Sequence, residues 1–225
     1  MTDLNVRTIK AGVRGFVVLA VLVFVPAGTL RYWQGWAFLA TFAVCSTALT
    51  VYMALYDEKL LERRLRAGPR AETQTSQKII IVLVMLGSTA FLVFPVLDHR
   101  FGWSPVSSYV SIVGDGLIVL GYLSIFFVIR ENSYAASTIQ VTEDQRVVST
   151  GPYALVRHPM YAGALLLIIG MPLALGSWYG VLGIFGFLPV LIWRLSDEER
   201  FLTRNLPGYT EYKSKVHWRL IPGLF

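Results

Sequence analysis

Charge is scarce in this chain of 225 residues: Asp, Glu, Lys and Arg make up 15% of it, against about 25% in an ordinary soluble domain. Hydrophobic residues account for 55%, and mean hydropathy is +0.56. That combination argues against a soluble globular protein, a disordered chain and a collagen-like one. Cysteine is reduced to Cys45, inside an apolar run. Neither an internal disulfide framework nor a Cys-based zinc site can form. The three histidines, His99, His158 and His217, show no metal-ligand spacing, so no metal is expected. Also missing are the G-x-G-x-x-G of a soluble Rossmann domain, a Walker lysine loop, a G-x-S-x-G elbow and H-E-x-x-H. Internal repeats and low-complexity tracts are not seen. The net charge of +6, in so apolar a chain, points to the membrane surface rather than to nucleic acid.

What is present is arranged around charge-free runs. Residues 15–30, 32–56 and 79–97 carry no charge, and 101–129 carry only Asp115. A spanning helix needs about 20 apolar residues, so the pattern predicts helices near 13–30, 33–56, 79–97 and 106–129. The last charge-free run, 159–193, has 35 residues. That is too long for one span at about 1.5 Å rise per residue. Gly176-Ser177 is the natural break, giving a hairpin of about 160–175 and 178–194 whose arms are both short for a bilayer. Pro172 and Pro189 can kink these arms, and Gly180, Gly183 and Gly186 allow close helix contact. No cleavable signal peptide is expected. Of the 20 basic residues, all but Arg31 and Arg100 fall in the N-terminal segment up to Arg14, in 57–78, in 130–158 or after 193. The positive-inside rule then puts both termini and both long loops in the cytoplasm. The fold class is an all-α polytopic integral membrane bundle: four spanning helices plus a C-terminal helical hairpin, with the polar pocket on the cytoplasmic side. The 57–78 connector should begin with a short helix.

Chemistry concentrates in two segments that the hairpin brings together. Residues 130–158 read RENSYAASTIQVTEDQRVVSTGPYALVRH, and the tail from Arg194 begins RLSDEERFLTRNLPGYTEYKSK. Pro159 suits the first position of a helix. Arg157 and His158 therefore stand just before a helix N-terminus, which favours an anion. A plain helix start with Arg157 snorkelling to lipid phosphate fits the same spacing. Arg194 and Glu198 are four apart on one helix and can pair. Glu198-Glu199 can hold an ammonium group or simply form a solvated helix end. Asp115, nearer the outer side of its helix, is read as a structural hydrogen-bonding group between Gly114 and Gly116, although an intramembrane acid is a functional candidate by default.

Together, Val148-Ser-Thr-Gly-Pro-Tyr153, Arg157-His-Pro-Met-Tyr-Ala-Gly163, Arg194-x-x-x-Glu198-Glu199-x-x-Leu202, Gly208-Tyr-x-x-Tyr212 and Arg219-Leu-Ile-Pro-Gly223 resemble the isoprenylcysteine carboxyl methyltransferases, related to phospholipid methyltransferases. The resemblance covers about residues 130–225 and divides the chain into N-terminal membrane helices (1–130) and a methyltransferase motif region (131–225). It implies S-adenosylmethionine as cofactor at the cytoplasmic surface and a lipophilic or lipid-modified acceptor bearing a carboxylate, in a bacterial inner membrane. Carried over, Gln145, Gly151, Tyr153, His158, Pro159, Tyr161 and Glu199 are the implied cofactor contacts, with Arg157, Arg194 and Glu198 as the implied catalytic set. Gln145 stands where the family often has His, and His217 where eukaryotic members often have Pro. Two enzyme alternatives remain open: phospholipid N-methylation, which needs a base such as His158 or Glu198, and a sterol-type NADPH reductase, kept open by Asp197-Glu198. A transporter would place ionisable groups near the midplane and show a repeat, and a non-catalytic scaffold would bind no cofactor.

Overall fold

A computed structural model describes residues 3–65, 75–135 and 145–225. Among them there are helices and no strand. Helix α1 covers Asp3–Ala27, α2 Trp33–Tyr56, α3 Glu58–Leu65, α4 Thr75–Phe101 and α5 Ser108–Glu131. After a single 3-10 turn at Gly151–Ala154 come α6 (Pro159–Ala174), α7 (Trp178–Leu182), α8 (Ile184–Asn205) and α9 (Tyr209–Lys215). The short helix expected at the start of the 57–78 connector is α3, opened by the Asp57 carboxylate accepting from Leu60 N at 3.0 Å, an N-cap in the usual sense. The rest of that connector, 66–74, lies outside the described residues.

Helix ends differ from the expected ones where charge was taken as the boundary. Helix α1 starts at Asp3 rather than near 13, since charges end a membrane run without ending a helix. It stops at Ala27, where Gly28 (φ +66°) closes it by donating to Phe24 O at 3.1 Å, as a left-handed glycine does after a last turn. Helix α4 likewise overruns its charge-free stretch at both ends, and α8 continues past Arg194 to Asn205. Helices α1, α2, α5, residues 77–101 of α4 and the run Trp178–Asn205 are each long and apolar enough to cross a membrane, whereas α6 has 16 residues. The exposed surface carries Val, Leu, Ile and Phe along these helices, as expected where lipid is the solvent.

The hairpin arm α6 lies antiparallel on α5, and small residues set the spacing. Gly114 and Gly121 on α5 face Gly170 and Gly163 on α6. A Cβ on Gly114 would lie 2.3 Å from Ala174 N, and one on Gly170 would lie 2.7 Å from Gly114 O. The two backbones are therefore in contact, the approach that glycine permits in membrane helices. Gly180 and Gly183 also face close neighbours, whereas Gly116 and Gly186 have nothing within 4 Å. The expected break at Gly176-Ser177 is present, with Gly176 at φ +80° and Ser177 capping α7 by accepting from Gly180 N at 2.7 Å.

This hairpin turn is fastened at the end of the bundle opposite Arg157. Tyr32, at the start of α2, donates to Leu175 O. Asp98, fully buried near the end of α4, accepts from Ser104 N at 2.7 Å and from the Ser104 and Ser177 hydroxyls. Ser104 in turn accepts from the backbone of Trp178 and Tyr179. The turn of the hairpin is thus held by the start of α2 and the end of α4.

Candidate active site

Two backbone hydrogen bonds start the site. Arg157 N donates to Trp218 O and His158 N donates to Arg219 O, both at 2.9 Å. These bonds tie the lead into α6 to the C-terminal segment. The Arg157 side chain reinforces the tie, donating from Nη1 to the carbonyls of Val216 and His217 at 2.9 Å. Its Nε donates to Glu199 Oε1 at 2.7 Å. Glu199 is 2% exposed. It also meets His158 Nε2 at 3.2 Å, Arg219 Nη2 at 3.2 Å and Lys213 Nζ at 4.0 Å. A carboxylate this deeply buried needs such partners. Arg157 and Glu199 therefore join α6, α8, α9 and the tail into one unit.

A second polar chain crosses the mouth of the hairpin. Tyr161 Oη donates to Glu198 Oε2 at 2.8 Å and accepts from Arg194 Nε at 3.1 Å. Arg194 also donates to the Gln77 amide oxygen, and Gln77 donates to Asp197. Arg194 and Glu198, expected to meet directly through their four-residue spacing, are here linked through the Tyr161 hydroxyl. Gln77, fully buried on α4, brings the N-terminal half of the chain into this network.

The Gly151–Ala154 turn forms a third wall. Gly151 (φ +56°) packs on Glu131, its added Cβ lying 3.0 Å from that carboxyl carbon, while Thr150 donates to Glu131. Tyr153 Oη accepts from Asn132 Nδ2 at 2.8 Å, and Tyr212 Oη donates to Tyr153 O at 2.8 Å. Burial pushes the Tyr153 phenol up to about 12, against the Asn132 donor, which lowers it. It stays neutral at physiological pH. On the other side, Arg64 of α3 donates to Ala135 O at 2.9 Å and to Met160 Sδ at 3.5 Å.

These walls enclose a cavity of about 450 Å³. One end is polar and aromatic, with Arg64, Asn132, Gln145, Tyr153, His158, Tyr209 and Tyr212. The other runs between α4, α6 and α8, past Ile80, Val84, Ile168, Leu191 and Val190 to Phe91, Phe187 and Met171. Tyr161, Arg194 and Glu198 stand where the two ends meet. Of the residues singled out from sequence, Gln145, Tyr153, Arg157, His158, Pro159, Tyr161, Arg194 and Glu198 line this space. Gly151 and Glu199 do not. Gly151 supports the turn that carries Tyr153, and Glu199 sits behind Arg157 and His158.

Sequence reasoning missed Arg64, Gln77, Asn132 and Tyr209. Arg64 was read as one more topogenic charge, Gln77 as part of a polar connector, and the tyrosine only as a motif marker. Asp115, on α5, is not among the residues that line the cavity, and its buried Oδ1 has no hydrogen-bond partner among the described residues. Among the described residues no group of three or more His, Cys, Asp or Glu is placed to hold a metal.

Residues 109–207, from α5 to just beyond α8, match the model of the phospholipid methyltransferase family. Over that stretch the chain is similar to a family of membrane methyltransferases that includes the isoprenylcysteine carboxyl methyltransferases. A curated relative, the cobalt-zinc-cadmium resistance protein CzcN of Cupriavidus metallidurans, is 30% identical over 102 residues, 44% of this chain and 47% of that protein. The chain therefore spans about half the length of the curated relative it matches.

Proposed function

We propose that this membrane methyltransferase moves the methyl group of S-adenosylmethionine to a carboxylate on a lipophilic acceptor of the isoprenylcysteine type. The reaction takes place at the cytoplasmic face of a bacterial inner membrane, with both termini on that face. One observation carries the reading: a single cavity joins a polar, aromatic end to an apolar slot between helices, and the joint is built of Tyr161, Arg194 and Glu198. A water-soluble cofactor and a lipid tail need those two environments, with their reacting groups at the joint.

The residues present fit such a cofactor. The polar end offers an amide at Asn132, another at Gln145, an imidazole at His158 and a buried Tyr209 hydroxyl that has no partner among the described residues. Tyrosine faces suit a sulfonium cation. The cofactor, when bound, supplies a sulfonium methyl group open to in-line displacement. A carboxylate acceptor is ionised at neutral pH, its reference pKa being about 4, so no residue need act as base. The chain's contribution is then positioning and exclusion of water. Arg194, held by Tyr161 and Gln77 at the joint, can pair with an acceptor carboxylate. Arg157 and Glu199 keep the lead into α6 and the C-terminal segment in register, and so act as positioning groups.

Phospholipid N-methylation is the second reading, favoured by the Glu198 carboxylate on the cavity wall, which can accept a proton from an amine. Two measurements separate these. Calorimetry of the purified protein should show binding of S-adenosylhomocysteine, and binding of NADPH in its place would overturn the methyltransfer reading. Labelled methyl transfer to a prenylcysteine analogue should then give a base-labile ester. Base-stable methylation of phosphatidylethanolamine alone would select the second reading.

A further inference from the structure

The tyrosines around the polar end of the cavity differ in one respect. The hydroxyls of Tyr153, Tyr161 and Tyr212 each have a hydrogen-bond partner. The Tyr209 hydroxyl has none among the described residues, although it is buried and the side chain lines the cavity. Gly208 (φ +83°) turns the chain between α8 and α9. That turn leaves Tyr209, at the start of α9, only 4% exposed. Its ring packs with Leu206 and Tyr212, next to Val147, Tyr153 and Leu202. A buried O–H without an acceptor is costly to keep, and native structures hold few of them.

The surroundings narrow what it can meet. Burial, and then the carboxylates of Glu199 and Glu198, hold the Tyr209 phenol well above its ordinary range. It therefore remains a donor across physiological pH. The same two carboxylates oppose a ligand's negative charge here, and Arg157, which acts on the phenol in the opposite sense, is taken up by Glu199 and the carbonyls of Val216 and His217. The flanking wall of Val147, Leu202, Leu206 and the rings of Tyr153 and Tyr212 is largely apolar and aromatic, suited to a purine or sugar face rather than to an amino-acid zwitterion.

We propose that Tyr209 Oη donates to an uncharged acceptor atom on the nucleoside half of the cofactor. Tyr209 is thus a binding residue that neither the R-H-P-x-Y motif nor the E-E pair supplies. The inference rests on the methyltransferase reading and assigns the nucleoside to the α9 side of the cavity.

Tyr209→Phe keeps the ring and removes only the hydroxyl. Its melting temperature should match or slightly exceed that of the parent, because an unpaired buried group has been removed. By calorimetry, S-adenosylhomocysteine and methylthioadenosine, which lacks the amino-acid half, should both bind about tenfold more weakly. Unchanged affinity for both, in a variant of parental melting temperature, overturns the proposal. A loss confined to S-adenosylhomocysteine overturns the nucleoside assignment by moving the bond to the amino-acid half. Should the variant unfold, methylthioadenosine analogues that each lack one acceptor atom of the base or ribose are bound to the parent protein instead, and one of them must bind about tenfold more weakly or the proposal falls. If the parent itself binds neither compound, the methyltransferase reading fails first.

Discussion

Gly114 and Gly116 lie on the same helix, two residues apart, and alanine at each should have opposite effects. At Gly114 the new Cβ would stand 2.3 Å from Ala174 N and 2.8 Å from both Gly170 O and Leu173 C. All three are backbone atoms of the facing helix, so no rotamer change relieves the clash and α6 must move away from α5. Forcing a methyl into a packed site costs about 1–3 kcal/mol, and backbone obstruction puts this case at about 3. At Gly116 nothing lies within 4 Å. There alanine restricts the unfolded chain and favours the helix by about 0.5–1 kcal/mol. The two variants should thus differ by roughly 3.5–4 kcal/mol. At about 2–4 °C per kcal/mol for a chain of this size, that is a gap of about 10 °C in melting temperature in one detergent. The displacement also reaches the site, since α6 begins with Pro159 and carries Tyr161 against Glu198. Gly114→Ala should therefore weaken binding of S-adenosylhomocysteine, while Gly116→Ala leaves it intact. Equal melting temperatures for the two variants, or a larger loss in Gly116→Ala, would refute the close α5–α6 packing.

Glu199→Gln removes the anion from a buried cluster of Arg157, His158 and Arg219, and stranding a buried partner costs about 3–5 kcal/mol. Its main effect should be a lowered melting temperature, with S-adenosylhomocysteine still bound on cooling. A parental melting temperature with binding abolished would instead place Glu199 in direct contact with the cofactor. For a carboxylate acceptor the rate should be nearly flat from about pH 6 to 9, because the nucleophile is ionised throughout. A rise with unit slope would identify an amine acceptor. In a Cys45→Ala background, cysteines at Lys213 and Arg31 should react with impermeant reagents from opposite faces, Lys213 from the cytoplasm. Labelling of both from one side would break the assigned topology.

Membrane segments were legible because charge is expensive in lipid, and the five candidate spans lie on or next to the charge-free runs. The ends of α1, α4 and α8 were not, because a helix continues wherever its backbone bonds continue, and charge marks only where lipid stops. The hairpin break could be located at Gly176, where the chain needs a left-handed turn. What fastens that turn could not: the Asp98 knot joins residues 79 positions apart, beyond any local pattern.

The site shows the same division. R-H-P-M-Y and D-E-E announce themselves by residue type, and eight of the ten sequence-derived residues line one cavity. Residue type does not say which way a side chain faces. Glu198 and Glu199, adjacent on α8, point about 100° apart as helix neighbours must. Glu198 reaches Tyr161 at the cavity, and Glu199 reaches Arg157 and His158 behind it. The acidic pair is therefore two devices, one facing the ligand space and one holding its wall. Arg64 lines the cavity from α3, and Gln77 on α4 holds Arg194 at its wall, both outside the stretch that matches the methyltransferase family. The helices of the first half thus contribute walls to the cavity as well as candidate membrane spans. Ile80, Val84 and Phe91 of α4, from the half of the chain that the family match does not cover, line the apolar slot together with Ile168 and Met171 of α6 and Phe187, Val190 and Leu191 of α8, from the half that it does.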